Sequence, residues 1–407
     1  MQFGSGGPTA AKGTWWEMAD EDLRILVSRA AIDRRGFLGV AGVGLAGLAL
    51  AACGGGEGGG NGRTQVTAPV VAKAPTDLHG TLHIYTWADY QNPDNVKAFQ
   101  KANNNIGVKI DIYDSNEAAI AKLGAAGANA GYDIVVPTGV FIPQMVTKGL
   151  LAQLDRSKLP NFANLDPTYL NQPWDPGNKY SVVKDWGSTG YCYDTSVYSG
   201  ELKDWAGFFE AAKAKGVSGK VSLLDAPGDV TGLVFWREGI DWNTTNPADF
   251  AKCEQILKAE LVPHIKAFES FPVDGLLNGE FALSQMWNGD ARQVLLEDPD
   301  RFKWVLGAPK TELWVDNWTI LKNAKNPDAA YAFINNILDP KVSAAEVDYH
   351  GYNTAVKGSE QYLPANLKSK ELIFFSADQV KNFVPGSIAN QDLVTKTFNA
   401  IKAAASR

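Results

Sequence analysis

The sequence predicts an α/β protein of two lobes that are joined by two crossing strands. From Gly80 onward, short apolar strands alternate with helical segments, an order typical of a parallel sheet with helices on both faces. A second alternation occupies the middle of the chain, and the last third returns to a strand, "DNWTIL". We therefore expect a first lobe over residues 78–190 and a second lobe over 191–309. Residues 310–407 are expected to return to the first lobe and to add C-terminal helices.

The first lobe is predicted to begin with three successive strand–helix units. The strand "TLHIY" precedes a helix that begins at Asn92, and "VKIDIY" precedes an alanine-rich helix capped by Ser115. The strand "YDIVVPT" is followed by the helical segment "FIPQMVTKGLL". Ligands of such sheets bind beyond the carboxyl ends of the strands. Trp87 and Thr138 both follow strand ends, so they are the first candidates for ligand contacts.

The second lobe and the returning segment are predicted from the same alternation. The strand "KVSLLD" is followed by the helix "GLVFWREGI", and "FKWVLGAP" closes the middle of the chain. After the returning strand, a helix over residues 327–338 has Asn326 at its predicted cap. The two crossings between the lobes are expected near Gly190 and Gly307.

Composition and motifs argue against several classes of function. The chain has 407 residues and a net charge of −7, without a Lys/Arg-rich tract, so no nucleic-acid partner is expected. Its four histidines have no metal-ligand spacing, and the motifs P-loop, HExxH and GxSxG are missing from the sequence. We accordingly expect no enzyme activity, no cofactor and no metal site.

The first residues predict export and a lipid anchor. The stretch "DRRGFLGVAGVGLAGLALAAC" has a twin arginine followed by an apolar run over residues 37–52, which suits a signal peptide. The run ends in "LAAC", which resembles the lipobox of bacterial lipoproteins, and a glycine-rich leash follows it. We expect a twin-arginine signal peptide at 1–52, a lipidated Cys53 and a flexible linker through residue 77. The alternative is a chance cysteine after an apolar run.

Eight motifs recur in order along nearly all of the chain after the leash. They are "YTWADY", "YDSNEAAIAKL", "YDIVVPT", "LDRSKLPNFANLDP", "WDPGNKYSVV", "WNG", "WVDN" and "GYNT". In these motifs the chain resembles the substrate-binding lipoproteins of bacterial polyamine ABC importers, and it is particularly similar to the spermidine/putrescine-binding proteins. The resemblance implies a periplasmic-binding-protein fold of type II, a polyamine ligand, and a partner complex of permease and ATPase. It also implies a location outside the cytoplasmic membrane, either lipid-anchored or periplasmic.

The resemblance also implies a set of ligand-binding residues. An ammonium group offers three donors and no acceptor, so carboxylates and aromatic faces suit it, and the methylenes suit flat apolar walls. In the family, Asp316 corresponds to the acid that holds a terminal amine. The residues implied to bind the ligand are Trp87, Tyr90, Thr138, Asp225, Trp287, Trp314, Asp316 and Tyr352. The second acid of the far end is replaced by Gly228, and Asp229 is a shifted substitute.

Structural roles compete with these assignments, and two other functions remain open. Trp186, Trp205 and Trp236 are expected to be core residues, and Asp225 is alternatively a helix cap. Cys192 and Cys253 are either free buried thiols or a disulfide. The alternative functions are a subunit that binds sugars or another small solute, and a lipid-anchored protein without a transport role.

Overall fold

The structure is a computed structural model, and the residues it describes are 78–406. The predicted signal peptide, Cys53 and the linker to residue 77 lie outside these described residues. The described strands are β1 (Thr81–Thr86), β2 (Gly107–Ile112), β3 (Ile134–Val135), β4 (Ser181–Asp194), β5 (Val221–Leu223), β6 (Ile265–Phe268), β7 (Leu283–Trp287), β8 (Phe302–Leu306), β9 (Thr311–Ile320), β10 (Asn353–Thr354) and β11 (Phe383–Pro385). The described helices are α1 (Pro93–Ala102), α2 (Asn116–Ala126), α3 (Ile142–Thr147), α4 (Trp205–Ala212), α5 (Pro227–Glu238), α6 (Pro247–Glu260), α7 (Val273–Leu277), α8 (Asn288–Glu297), α9 (Pro327–Ile337), α10 (Pro340–His350), α11 (Ala377–Val380) and α12 (Gln391–Ala405). None of these described helices combines the length and apolarity that a membrane crossing requires.

Strand β4 connects the two halves of the molecule. Its residues 181–188 pair with β9 in a sheet of order β2-β1-β3-β9-β4, in which β1 runs parallel to both β2 and β3. Its residues 189–193 pair with β7, which continues through parallel strands to β5 and β6. Strand β9 runs antiparallel to β4 and lies between β3 and β4. This arrangement agrees with the predicted α/β fold of two lobes with two crossings.

Two large groups of buried apolar side chains form separate cores. The first contains Ile84, Ile134 and Trp318, which belong to β1, β3 and β9. The second contains Trp205 and Phe235, from α4 and α5, and a third, smaller group lies beside it. Separate cores are expected for separate lobes, because each lobe must bury its own apolar faces.

The last helix packs on the second lobe. Residues 310–407 were expected to return to the first lobe and to add C-terminal helices, without a lobe assigned to those helices, and Val394, Phe398 and Ile401 of α12 belong to the core of the second lobe. Their spacing of four and three residues marks a buried helix face, yet it carries no information about the partner of that face. Residues 310–407 therefore divide between the two lobes.

Local predictions are confirmed at most positions. The side chains of Asn92 and Ser115 accept hydrogen bonds from the first turns of α1 and α2, at 2.9 Å and 3.2 Å. Asn326 precedes α9 but does not cap it, because its side-chain amide donates to the His79 carbonyl at 2.8 Å. The tryptophans expected in the core, Trp186, Trp205 and Trp236, are buried, and Cys192 and Cys253 are free, buried thiols.

Candidate ligand-binding site

A cavity lies between the two lobes. Its empty volume is about 870 Å³, including the solvent-filled entrance. Its walls come from the segments that follow β1, β3 and β7, from the first turns of α2, α5 and α8, and from one face of β9. This is the position expected for a ligand site in an α/β fold, because the parallel strands direct their carboxyl ends towards it. The described residues contain no group of three or more His, Cys, Asp or Glu side chains suited to a metal ion.

Seven of the eight residues implied by the resemblance line this cavity. They are Trp87, Tyr90, Thr138, Trp287, Trp314, Asp316 and Tyr352. The eighth, Asp225, does not line it, because the Lys402 ammonium of α12 holds both of its carboxylate oxygens, at 2.9 Å and 2.8 Å. The expectation for Asp225 is thus corrected: its partner is a lysine 177 positions later in the chain, which no local pattern connects to it. Asp225 does not cap α5 either, since the cap position is Ala226.

The aromatic side chains contact one another mostly edge to face. Trp87 meets Trp287 from the opposite lobe with ring centroids 5.5 Å apart, and its indole nitrogen donates to the Val136 carbonyl at 3.2 Å. On another wall, Trp314 and Tyr352 meet at 4.8 Å and 83°. Such contacts hold the rings in fixed orientations, so their faces form rigid apolar walls.

Two glycines make room for these rings. A Cβ atom at Gly187 would come within 2.3 Å of the Trp314 ring, and one at Gly289 within 2.4 Å of the Tyr352 ring. Contacts this short with rigid rings would force the aromatic walls to move. Glycine at both positions is therefore part of how the sequence builds the cavity.

Asp316 occupies one end of the cavity. Its Oδ1 accepts from the Thr138 hydroxyl at 2.7 Å, and its Oδ2 lies 2.8 Å from the Tyr90 hydroxyl. The Thr138 hydroxyl accepts in turn from the Asn116 amide at 2.9 Å, which fixes its direction. Burial, together with the nearby charge of Asp185, raises the pKa of Asp316 to about 7.

Buried ionisable side chains lie next to Asp316 and share its contact with Tyr90. The Tyr90 hydroxyl also contacts Asp185, which forms an ion pair with Lys184 and lies 3.3 Å from the His350 Nε2. Tyr90 has one hydroxyl proton and two carboxyl neighbours, so it can donate a hydrogen bond to only one of them. The second carboxyl group can hydrogen-bond to the Tyr90 oxygen only if it is itself protonated. Burial raises the pKa of both carboxyl groups, and a proton on either of them satisfies this requirement.

A second acidic group lies at another part of the cavity wall. Asp229 in the first turn of α5 accepts from the Thr189 hydroxyl at 2.6 Å, and Glu312 of β9 lines the same cavity. Burial raises the pKa of Asp229 to about 6, and burial with the adjacent Asp229 charge raises that of Glu312 well above its ordinary value. Burial also raises the pKa of Glu117 to about 7.

The helix ends beside the cavity have carboxyl groups in their first turns. Glu117, Asp229 and Asp290 occupy these positions in α2, α5 and α8. A helix N-terminus carries partial positive charge and would disfavour a cation. Burial raises the pKa of Asp290 to about 8, and its Oδ2 is buried without a hydrogen-bond partner in the described structure. When ionised, these carboxyl groups offset the partial positive charge of the three helix N-termini, so a cationic ligand can bind beside them.

The charge of the lining decides which ligands fit. Five lining side chains carry carboxyl groups, whereas no Lys, Arg or His side chain is found among the described residues of the lining. A ligand anion would find no cationic partner here, and a neutral ligand would not compensate the charges of these carboxyl groups in their ionised forms. The arrangement suits a ligand with more than one positive group and an apolar body. The lining acids are Glu117, Asp229, Asp290, Glu312 and Asp316.

Of these five lining acids, only Asp229 and Asp316 were expected from the sequence. Asp229 was expected as a shifted substitute for the missing far acid, and it does line the cavity. Glu312 was missed, although it precedes Trp314 by two residues and Asp316 by four on a strand. Side chains at such spacing share one face of a strand, so the same alternation would have identified it. Glu117 and Asp290 gave no comparable signal.

A family of known proteins and several of its individual members match this sequence. The family described as bacterial extracellular solute-binding protein matches residues 94–374. The chain is 34% identical over 314 residues to the spermidine/putrescine-binding periplasmic protein 1 of Haemophilus influenzae, covering 76% of this chain and 85% of that protein. It is 30% identical over 320 residues to the putrescine/agmatine-binding protein of Pseudomonas aeruginosa, covering 75% and 86%.

Solved structures agree with these relatives. The spermidine/putrescine ABC transporter substrate-binding protein PotD of Streptococcus pneumoniae superposes with a TM-score of 0.64 at 28% identity, covering 80% of this chain and 99% of that chain. The TpPotD lipoprotein of Treponema pallidum superposes with a TM-score of 0.68 at 25% identity, covering 79% and 99%.

Proposed function

Because the chain belongs to the family of bacterial extracellular solute-binding proteins, we propose that it is the substrate-binding subunit of an ABC importer with a polyamine as its substrate. It captures putrescine, spermidine or a similar polyamine outside the cytoplasmic membrane and delivers it to a permease and its ATPase. The relatives are named as binding proteins, and the proposal contains no catalytic step.

The charge of the cavity lining is the observation that carries the polyamine assignment. Five carboxyl groups and several aromatic faces surround the empty space, without a cationic side chain among the described lining residues. Each ammonium group donates three hydrogen bonds and is attracted to aromatic faces by about 0.5–2 kcal/mol. A sugar has hydroxyl groups but no charge, so it would not compensate the buried carboxylates. The polyamine is therefore favoured over the sugar.

We assign the roles of the lining residues by their chemistry. Asp316 receives one ammonium group, and Thr138 and Tyr90 hold its carboxylate in place. Five of the rings that line the cavity, those of Trp87, Tyr90, Trp287, Trp314 and Tyr352, contact the methylene chain and the flanks of the ammonium groups. Asp225 is left out of this proposal because Lys402 already neutralises it.

The lipid anchor is a further part of the proposal. It is supported by the "LAAC" sequence that ends at Cys53 and by the glycine-rich leash after it. One relative of similar structure is named a lipoprotein. Expressing Cys53→Ala in a bacterial host that processes lipoproteins should release the protein from the membrane fraction. Retention of the variant at the parent level would contradict lipidation at this cysteine.

A thermal-shift screen tests the proposed ligand class. The purified protein is heated with putrescine, spermidine, spermine, arginine, lysine and a panel of sugars at equal concentrations. A ligand that binds the folded state raises the melting temperature by mass action. We expect shifts with the polyamines and none with the sugars. A shift with a sugar, and none with any polyamine, would contradict the proposal.

A further inference from the structure

Strand β2 forms one edge of the sheet in the first lobe. Among the described residues, β1 is the only strand that pairs with it. The backbone N–H groups of Gly107 and Tyr113 donate to carbonyl groups on the β1 side, both at 3.0 Å. Because the direction of these groups alternates along a strand, the backbone N–H and C=O groups of Val108, Ile110 and Ile112 point to the open edge. A further strand can therefore pair there.

The open edge also exposes apolar side chains. Ile110 is 38% exposed and Ile112 is 53% exposed, the highest value for a large apolar side chain among the described residues. Both lie on the same face of β2 as Val108, because side chains two positions apart share a face of a strand. An exposed apolar edge strand is a template for pairing with another chain, and sheets usually protect such edges. The β2 edge therefore has the features of a strand that pairs with a second protein chain.

Two opposite charges flank the centre of this strand. Lys109 and Asp111 are both exposed, and they lie one position before and one position after Ile110. The Tyr132 hydroxyl donates to the Asp111 Oδ2 at 2.8 Å, which holds the carboxylate beside the edge. When a second copy of the strand runs in the opposite direction, the partner's Asp111 comes opposite Lys109. The strand is therefore complementary in charge to itself.

Backbone geometry and charge together select one antiparallel register. With Ile110 opposite the partner's Ile110, the outward backbone groups of the two strands face each other and form about six hydrogen bonds. Val108 then lies opposite the partner's Ile112, and Lys109 lies opposite the partner's Asp111. The two neighbouring registers that keep these backbone groups paired place Lys109 opposite the partner's Lys109, or Asp111 opposite the partner's Asp111. Opposite charges stabilise a cross-strand pair and like charges destabilise it, so the register centred on Ile110 is favoured.

We propose that the β2 edge is an interaction surface for a second copy of this chain, with the two β2 strands antiparallel and a twofold axis at Ile110. The same surface serves both copies, as a twofold axis requires, and the sheet of one first lobe continues into that of the other. Each copy contributes one short strand, so the contact is small and the association is weak and reversible.

Sedimentation equilibrium with charge-swapped variants tests this surface. The full chain is measured from about 5 to about 500 μM at low salt, a range that covers weak association. Lys109→Asp sets like charges opposite each other in the proposed register, whereas the double variant Lys109→Asp/Asp111→Lys exchanges the two charges and keeps the complementarity. Lys215→Asp makes the same charge change at an exposed position of the second lobe and serves as the control. Thermal unfolding checks that each variant is folded.

We expect a monomer–dimer equilibrium for the parent, with a dissociation constant of about 100 μM or lower. Lys109→Asp should raise this constant about tenfold or more, because two attractive cross-strand pairs become repulsive. The double variant should return to within about threefold of the parent, and Lys215→Asp should match the parent.

Cysteine cross-linking tests the register independently. Ile110→Cys and Lys109→Cys are each made in the Cys53→Ala background, where the remaining Cys192 and Cys253 are buried. In the proposed dimer the two Ile110 Cα atoms are about 5.5 Å apart, within disulfide range, whereas the two Lys109 Cα atoms are about 8 Å apart and beyond it. An added thiol oxidant should therefore link Ile110→Cys into covalent dimers at least tenfold faster than Lys109→Cys.

Several results would overturn the proposal. A parent that stays monomeric throughout the measured range has no such partner surface; if the amides of Val108, Ile110 and Ile112 are nevertheless protected from hydrogen exchange in that monomer, another part of the same chain covers the edge. A parental dissociation constant for Lys109→Asp would place the dimer contact elsewhere. If the double variant does not fold, the cross-linking decides, and equal or faster linking of Lys109→Cys contradicts the register.

Discussion

Replacing Asp316 with asparagine should remove most of the affinity for polyamines. Asparagine has the shape of aspartate, and its carbonyl still accepts the 2.7 Å hydrogen bond from the Thr138 hydroxyl. The variant lacks the negative charge, so an ammonium group buried at this end has no counter-ion. Breaking a buried ion pair by removing one partner costs about 3–5 kcal/mol, which corresponds to roughly 150- to 5,000-fold in dissociation constant. We expect this loss at pH 8.

The pH dependence of the loss follows from the pKa of Asp316, which is about 7. An ammonium group binds the ionised form, so apparent affinity falls with the ionised fraction, by about twofold at pH 7 and about a hundredfold at pH 5. Asp316→Asn lacks this titration. The ratio of variant to parent dissociation constants should therefore fall by about a hundredfold between pH 8 and pH 5, because titration of the other acids cancels in the ratio.

Isothermal titration of spermidine into both proteins at pH 5, 6, 7 and 8 measures this ratio. Thermal unfolding serves as the control that Asp316→Asn remains folded. Equal affinities of variant and parent at pH 8 would refute the role of Asp316. A large ratio that does not change with pH would keep the role but refute the protonated state of the empty site.

Four further outcomes are expected. Asp229→Asn should weaken spermidine binding at pH 8 by about tenfold or more, while Asp225→Asn stays within about twofold; calorimetry compares them, and the reverse order would contradict the placement of these acids. Trp314→Ala should cost less affinity than Asp316→Asn, because a ring contributes about 0.5–2 kcal/mol per cation, and a larger loss would contradict this ranking. The ligand-free protein should melt at a higher temperature at pH 5 than at pH 8, by roughly 2–5 °C. The pKa values of Asp316 and Asp290 are raised to about 7 and about 8, so stability present below pH 4 is lost as pH rises through them; an unchanged or higher melting temperature at pH 8 would refute the shifts. Small-angle scattering should show compaction with saturating spermidine, as in hinge closure between lobes, and identical profiles would contradict closure.

The strand–helix order was readable from sequence because it depends on local patterns. Alternating apolar residues predict strands such as β1 and β9, and capping residues such as Ser115 mark helix starts. The same patterns do not indicate which lobe α12 packs on, and its buried face of Val394, Phe398 and Ile401 contacts the second lobe. A periodic pattern identifies a buried face, but the partner of that face depends on tertiary structure.

The sequence predicts those residues of the candidate site that lie in motifs near strand ends. Trp87 and Thr138 follow β1 and β3, and Trp314 and Asp316 share a face of β9. Asp225 was misplaced because its partner Lys402 lies on a distant helix. The pKa shifts of the acids could not be predicted from the sequence, since they depend on burial and on neighbouring charges that only the folded arrangement brings together.

A single titration shows whether the cavity binds a polyamine. Spermidine is titrated into the purified protein at pH 8 in dilute buffer, with glucose titrated as the neutral control. We expect one spermidine per protein with a dissociation constant of about 1 μM or lower, equivalent to about 8 kcal/mol, and no heat from glucose. Saturable binding of glucose, with no binding of spermidine at millimolar concentration, would contradict it.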